Sequence, residues 1–488
     1  MDIHGLLSAD GWLQHRIGGE CVNPSTTEGV EVINPATGET LGKVPLAEAA
    51  EVDRAVRAAQ AAFADWRQTP VARRAHILFR YQHLLTEHVD ELAELITLEN
   101  GKTRSEARAE VRRAIENVEF AAGAPTLMMG RGLSSVAAEM ESGYYRYPIG
   151  VVAGITPFNF PMMVPAWMYP IAIALGNTFV LKPSERTPLT AVRAAELFAE
   201  AGLPSGVLNV VHGARAAVTA LLRHPGIQAV SFVGSQPVAQ TVYREASASG
   251  KRVQALGGAK NHAIVLPDAD LPQAVRQITA SAFGTGGQRC LACAVVVAVG
   301  DMADALVDGL VEAADRLVMG DGRDPAVQLG PVIRATQRER ALDYIRRGID
   351  EGAQLRRDGR SDPIPDDGFF IGPTIFDRVT SAMTLWRDEI FAPVLAVARV
   401  GSLDQAIDLA NQSPLANAAC LFTDSARAVR QFREAIDAGM LGINVGVPAP
   451  MAFFPFSGWK HSFYGDLHAN GEDSVAFYTR KKMVTARY

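Results

Sequence analysis

The segment Gly284-Thr285-Gly286-Gly287-Gln288-Arg289-Cys290 places a thiol at the end of a glycine-rich loop, just ahead of the β-branched run Ala294–Val299. Glycines let a backbone approach a ligand closely and adopt φ values that other residues avoid. A cysteine held there faces a cleft, and its thiolate is suited to attack an electrophilic carbon. Two plainer readings stand beside this one. Cys290 could be a small buried thiol, as isolated cysteines commonly are. It could also pair with Cys293 as a Cys-x-x-Cys redox or metal motif. No second Cys/His pair stands at zinc spacing and no thioredoxin-like context surrounds it, so no metal site is expected. Positions 290 and 293 alternate faces at the strand start, which leaves Cys293 structural.

Four further segments carry polar groups at strand ends. They are Thr156-Pro157-Phe158-Asn159-Phe160-Pro161, Lys182-Pro183-Ser184-Glu185-Arg186, Phe232-Val233-Gly234-Ser235 and Glu389-Ile390-Phe391-Ala392-Pro393. Gly234-Ser235 at a helix start can present backbone N–H groups to a pyrophosphate, aided by the helix dipole. Lys182 and Glu185 fall just past a strand, where a dinucleotide ribose sits in a doubly wound sheet. A carboxylate there accepts hydrogen bonds from a ribose 2′-hydroxyl and repels a 2′-phosphate, which favours NAD over NADP. Any one of these charges alone reads as a solvated loop residue; their joint placement argues otherwise.

The elements that must position these groups are legible in the periodicity. Helices are expected over Ala47–Gln68, over Val71–Leu98 with a stop at Asn100-Gly101, and from about Thr103 to Ala122. The stretch Gly130–Tyr147 alternates as a β-arm. From Gly150 to Leu271, short apolar runs (Val151–Ile155, Thr178–Leu181, Val207–Val211, Ala229–Val233, Ala263–Leu266) alternate with helical stretches such as Pro188–Ala201 and Gln236–Ala248. That alternation predicts a parallel sheet with helices on both faces. After Pro272 it restarts, with a strand at Ala294–Val299 and a helix at Ala303–Leu317, which suggests a second α/β domain.

In order and spacing the five chemistry-bearing segments resemble the aldehyde dehydrogenase superfamily, from about Asn34 to the C-terminus. Several concordant motifs over several hundred residues are specific where each alone is weak. The resemblance implies an α/β fold with an NAD-binding Rossmann-like domain (1–129 and 148–255) and an α/β catalytic domain (256–450). It adds a small β oligomerisation arm (130–147 and 451–488, with a strand around Val475–Thr479), hence a homodimer or homotetramer. It implies that Cys290 is the nucleophile and Asn159 the oxyanion donor. Thr156, Phe158, Lys182, Glu185, Arg186, Ser235, Gly257 and Glu389 would contact NAD. Attack on an aldehyde then gives a thiohemiacetal, and loss of hydride leaves a thioester on Cys290.

One position narrows the family. Most members hydrolyse the thioester with a glutamate just before a Leu-Gly-Gly run, and here Ala255 precedes Leu256-Gly257-Gly258. Alanine cannot take a proton from water. The runs Gly154–Pro161, Gly257–His262, Arg289-Cys290, Phe456–Lys460, Gly465-Asp466 and Phe477–Arg480 resemble the CoA-acylating methylmalonate-semialdehyde dehydrogenase branch. Leu291 replaces that branch's usual methionine, a swap of similar volume. The branch transfers its acyl group to coenzyme A with loss of CO₂, giving propionyl-CoA or acetyl-CoA. Its substrates carry a carboxylate, which the resemblance assigns to Arg289 and to Arg113, with Arg112 adjacent to the latter. Guanidinium groups pair bidentately with carboxylates. The plain alternative for each is a solvent-facing arginine. A hydrolytic semialdehyde dehydrogenase and a non-catalytic family relative are the rival readings.

Composition excludes other classes. A net charge of −6 offers a polyanion no attraction, so no nucleic-acid partner is expected. No apolar stretch approaches the roughly 20 residues that span a bilayer, so no membrane partner is expected. The N-terminal Met-Asp-Ile-His-Gly has no basic-then-apolar signal pattern. Four cysteines in 488 residues do not form a disulfide framework, and a cytoplasmic location is expected.

Overall fold

The computed structural model describes residues 3–488; Met1 and Asp2, which open both the expected 1–129 segment and the N-terminal run, lie outside the described residues. Two sheets dominate the fold. The first has eight strands, with Leu208–Val210, Thr178–Lys182, Val151–Ile155, Ile227–Val233 and Arg252–Leu256 adjacent in that order. These five are parallel. Chain order therefore reverses between Val151–Ile155 and Ile227–Val233, which creates the switch-point crevice where doubly wound sheets bind ligands. Antiparallel His15–Ile17 and Phe463–Gly465 extend the two edges.

The second sheet has seven strands, six of them parallel, with Asn261–Val265 and Cys293–Val299 at its centre. Strands such as Val151–Ile155 and Cys293–Val299 read as continuous apolar runs because helices cover both faces of the sheets. Only Gly257–Lys260 separates Arg252–Leu256 from Asn261–Val265. The C-terminal end of one sheet thus leads straight into the N-terminal end of the other, and the site lies between them.

Several expectations need correction. The helical stretch Val71–Leu98 is two helices, Val71–Glu87 and Val89–Asn100, broken at His88, whose φ of −98° and ψ of 17° leave the helical region. The run Ala263–Leu266 belongs to the second sheet, not to the first. The first sheet instead takes Arg252–Leu256, whose arginine and glutamine hide it in the sequence. The arm is a three-stranded sheet of Arg131–Ala137, Met140–Pro148 and Thr479–Arg487. Val475 lies in the helix Gly471–Phe477, so the C-terminal strand starts at Thr479 rather than spanning Val475–Thr479. Within 451–488, Phe463–Gly465 joins the first sheet instead of the arm. Among the described residues no helix is long and apolar enough to cross a membrane.

Candidate active site

The nucleophile loop is held in an unusual backbone shape. Thr285, Gly286 and Gly287 have φ of 55°, 61° and 69°. A Cβ on Gly287 would lie 2.3 Å from the Ala392 carbonyl oxygen, so no other residue fits there. The left-handed φ at Thr285 is stabilised by its neighbours. Its N–H donates to Glu106 Oε1 at 2.8 Å, and its hydroxyl accepts from Arg289 Nε at 3.0 Å. Gln288 donates its side-chain amide back to the Thr285 carbonyl and accepts the Ile333 N–H. The Cys290 carbonyl receives the side-chain amides of Asn261 (2.9 Å) and Asn417 (3.0 Å).

Cys290 opens into a cavity of about 370 Å³ whose lining includes Glu106, Arg113, Arg289, Phe160 and Trp167. Burial, then the negative charge of Glu389, push the Cys290 thiol up to about 12. Burial and Glu389 thus favour the neutral thiol at Cys290. Glu389 is itself raised to about 6 by burial, although the Ala259 N–H donates to it at 2.9 Å. Cys293 is buried on the second sheet, with its thiol toward the Val295 carbonyl. The four cysteines are unpaired, and no metal-binding cluster exists among the described residues.

Asn159 is buried and donates its amide to the Gln288 carbonyl at 2.9 Å, two residues before the nucleophile. One N–H of that amide remains for an oxyanion. A charge network fixes the segment around it. Lys102 donates to the Asn159 carbonyl and to Glu110 Oε2, each at 2.6 Å. Glu110 Oε1 accepts the Met162 and Met163 N–H groups at the start of the helix Met163–Ala174. Neither Lys102 nor Glu110 exposes any side chain.

The crevice residues fall on the first sheet's C-terminal side. The Thr156 N–H donates to the Lys182 carbonyl. Lys182 donates to the Gly213 carbonyl at 2.8 Å and lies 3.4 Å from Glu185. Burial opposes ionisation of Glu185, but the charges of Lys182 and Arg186 together with hydrogen bonds to the carboxylate hold it below the usual range. Arg186 stacks over Phe158 at 5.2 Å, and Phe158 meets Phe391 edge-on, joining the two sheets' loops. Exposed Ser235 precedes the helix Gln236–Ala248 with its hydroxyl uncommitted to capping. The backbone of Gly257 packs against that helix start, where a Cβ would lie 3.3 Å from Gln236 Cα. A half-buried carboxylate, a helix N-terminus and stacking rings around one switch point fit a dinucleotide.

The expected residues thus form two groups that meet at Cys290. Arg113, Arg289 and Cys290 share the cavity, Asn159 braces its loop from behind, and the remainder surround the crevice. Sequence reasoning missed Glu106, Lys102, Glu110, Asn261 and Asn417. Asn261 lies inside the quoted run Gly257–His262 without having been singled out, whereas the others carried no local signal.

The family profile for the aldehyde dehydrogenase family matches residues 22–484, and the chain belongs to that family. More particularly, it is similar to a malonate-semialdehyde dehydrogenase of Geobacillus kaustophilus, 66% identical over 477 residues, or 98% of this chain and 99% of that one. A Bacillus pumilus malonate-semialdehyde dehydrogenase is 63% identical over 98% of each chain. Among solved structures, a methylmalonate-semialdehyde dehydrogenase from Oceanimonas doudoroffii superposes with a TM-score of 0.96 at 49% identity, covering 97% of this chain and 98% of that one. A Sinorhizobium meliloti protein solved with NAD gives 0.96 at 43% identity, covering 98% of each.

Two outcomes test the site. Lys102→Met strands the Glu110 charge and should destabilise the protein by about 3–5 kcal/mol in denaturant unfolding, with partial recovery in Lys102→Met/Glu110→Leu. Alkylation of Cys290 by iodoacetamide, followed by mass spectrometry, should be slow at neutral pH and accelerate as pH rises. Glu389→Gln removes the charge that opposes the thiolate, so it should speed alkylation at every pH above about 6.

Proposed function

We propose that this chain oxidises malonate semialdehyde, or its methyl-substituted homologue, with NAD and delivers the decarboxylated acyl group to coenzyme A. The observation that carries the reading is the cavity, which sets two arginines of different elements beside one nucleophilic cysteine. Relatives that are malonate-semialdehyde dehydrogenases over nearly the whole chain support it.

The Cys290 sulfur bonds the aldehyde carbon and gives up its proton, while Asn159 and the Cys290 N–H stabilise the oxyanion. NAD, when bound, supplies the acceptor for the hydride that leaves that carbon. Lys182, Glu185 and Glu389 would hold its riboses, while Thr156, Phe158, Arg186, Ser235 and Gly257 would line its crevice. The resulting thioester is an electron sink. The bond to the carboxylate breaks, CO₂ departs, and the electron pair enters the thioester carbonyl as an enolate held by Asn159. The enolate carbon takes a proton, and the CoA thiol displaces Cys290. For malonate semialdehyde the sum is semialdehyde anion, NAD⁺ and CoA giving acetyl-CoA, CO₂ and NADH, balanced in charge and hydrogen.

Water is a poor competitor because Ala255 is fully buried in its strand, between Phe232 and Tyr464, and offers no base. The arm strands Arg131–Ala137 and Thr479–Arg487 expose Leu133, Val136 and Met483, apolar surface that a second copy would cover. We read the assembly as a homodimer or homotetramer and the location as cytoplasmic.

Incubation with malonate semialdehyde, NAD and CoA should yield acetyl-CoA stoichiometric with NADH, and without CoA one turnover per site. Free acetate as the only product would exclude the proposal in favour of hydrolysis. Asn159→Ala should lower kcat roughly 10²–10³-fold, measured by NADH formation.

A further inference from the structure

The charges lining the cavity are not the simple positive pair that anion binding suggests. Glu106, Glu110, Arg113, Glu116 and Arg289 all line it. Lys102 neutralises Glu110 from behind. Each arginine is then matched by its own carboxylate, Arg289 by Glu106 at 2.6 Å and Arg113 by Glu116 at 2.7 Å. A cavity built only to grip an acid would leave those glutamates out, since each repels the ligand.

Glu106 is the more constrained of the two. Its Oε2 accepts the N–H and the hydroxyl of Thr103, and its Oε1 accepts the Thr285 N–H. The carboxylate is thus pinned at the start of the helix Arg104–Ala122, and Arg289 comes to it. Its pair with Arg289 is largely buried, with 20% and 17% of the side chains exposed, so screening is weak. Arg289 has five N–H donors, and its contacts to Thr285, Glu106 and Ala280 engage three. Two remain, enough for a carboxylate in the cavity.

We propose that Glu106 is a specificity-determining and positioning residue that attenuates Arg289, so that the site recognises the substrate carboxylate without holding it too tightly to release it as CO₂. The proposal deepens the acidic-substrate reading and rests on it. Decarboxylation turns an anion into a neutral molecule. Every increment of charge stabilisation on the bound carboxylate therefore deepens the ground state and raises that barrier. Glu106 fixes the guanidinium in place and offsets part of its charge. Glu116, more exposed, does the same more weakly for Arg113.

The experiment compares wild type, Glu106→Gln and Glu116→Gln with malonate semialdehyde and with propanal, a neutral aldehyde. Malonate serves as dead-end inhibitor, and CoA products are separated by chromatography. Glu106→Gln should raise the acid-to-neutral ratio of kcat/KM by roughly tenfold, the effect of one partly buried charge, and tighten inhibition by malonate. It should also divert product from acetyl-CoA toward malonyl-CoA, which forms with release of a proton when the carboxylate is retained. Glu116→Gln should move the ratio in the same direction by less, and it carries the test if Glu106→Gln fails to fold. Equal losses with both aldehydes, or an unchanged ratio, would mark the two glutamates as purely structural and overturn the proposal. A wild type with no preference for the acid would instead overturn the acidic-substrate reading.

Discussion

The site depends first on the buried ion pair between Lys102 and Glu110. Lys102 bonds both Glu110 and the Asn159 carbonyl, and the other oxygen of Glu110 takes the free N–H groups at the start of the next helix. Burying two charges is costly unless their polar groups find partners; here Lys102 bonds two acceptors and its ammonium also lies 4.2 Å from the Phe160 ring centroid. The pair therefore accepts only one placement of the segment Thr156–Met163. One turn earlier on the same helix, Glu106 takes the Thr285 N–H of the nucleophile loop. A single helix, Arg104–Ala122, thus sets Asn159 and the Cys290 loop relative to each other.

The second constraint is the direct passage from one sheet to the other through Gly257–Lys260. The strand ahead of it ends beside the switch point, and the strand after it starts beside Cys290. The switch-point crevice and the thiol are therefore joined without a long connecting loop. Glu389 accepts the Ala259 N–H inside that passage and adds its charge to the burial that raises the pKa of the thiol. Its position links the crevice side of the cleft to the Cys290 thiol. On the other side of Cys290, each cavity arginine is paired with a carboxylate, Arg289 with Glu106 and Arg113 with Glu116, so the lining carries no simple excess of positive charge.

Much of this was legible in the chain because the signals are local. Gln236–Ala248 and Val151–Ile155 match their elements residue for residue, since short apolar strands and an amphipathic helix carry their own periodicity. Cys290 stood out through three glycines, two of which have left-handed φ. The failures share one cause. The break at His88 leaves the apolar pattern intact, so it has no period to betray it. Arg252–Leu256 is half polar because Arg252 donates to the Phe477 and Thr479 carbonyls and Gln254 to those of Leu467 and His468, partners more than 200 residues away. Val475 reads as strand by propensity, but tertiary packing puts it in a helix.

By itself, the sequence determined the succession of strands and helices, the loop that carries Cys290, and the absence of a base at Ala255. Each of these is a matter of residue type and short-range spacing. Tertiary structure alone decided which charges face one another. Glu106 and Arg289 are 183 residues apart and Asn159 and Gln288 are 129 apart, yet each pair is in hydrogen-bond contact. Electrostatic and hydrogen-bond energies depend on distance and burial, and a linear order of residues contains neither.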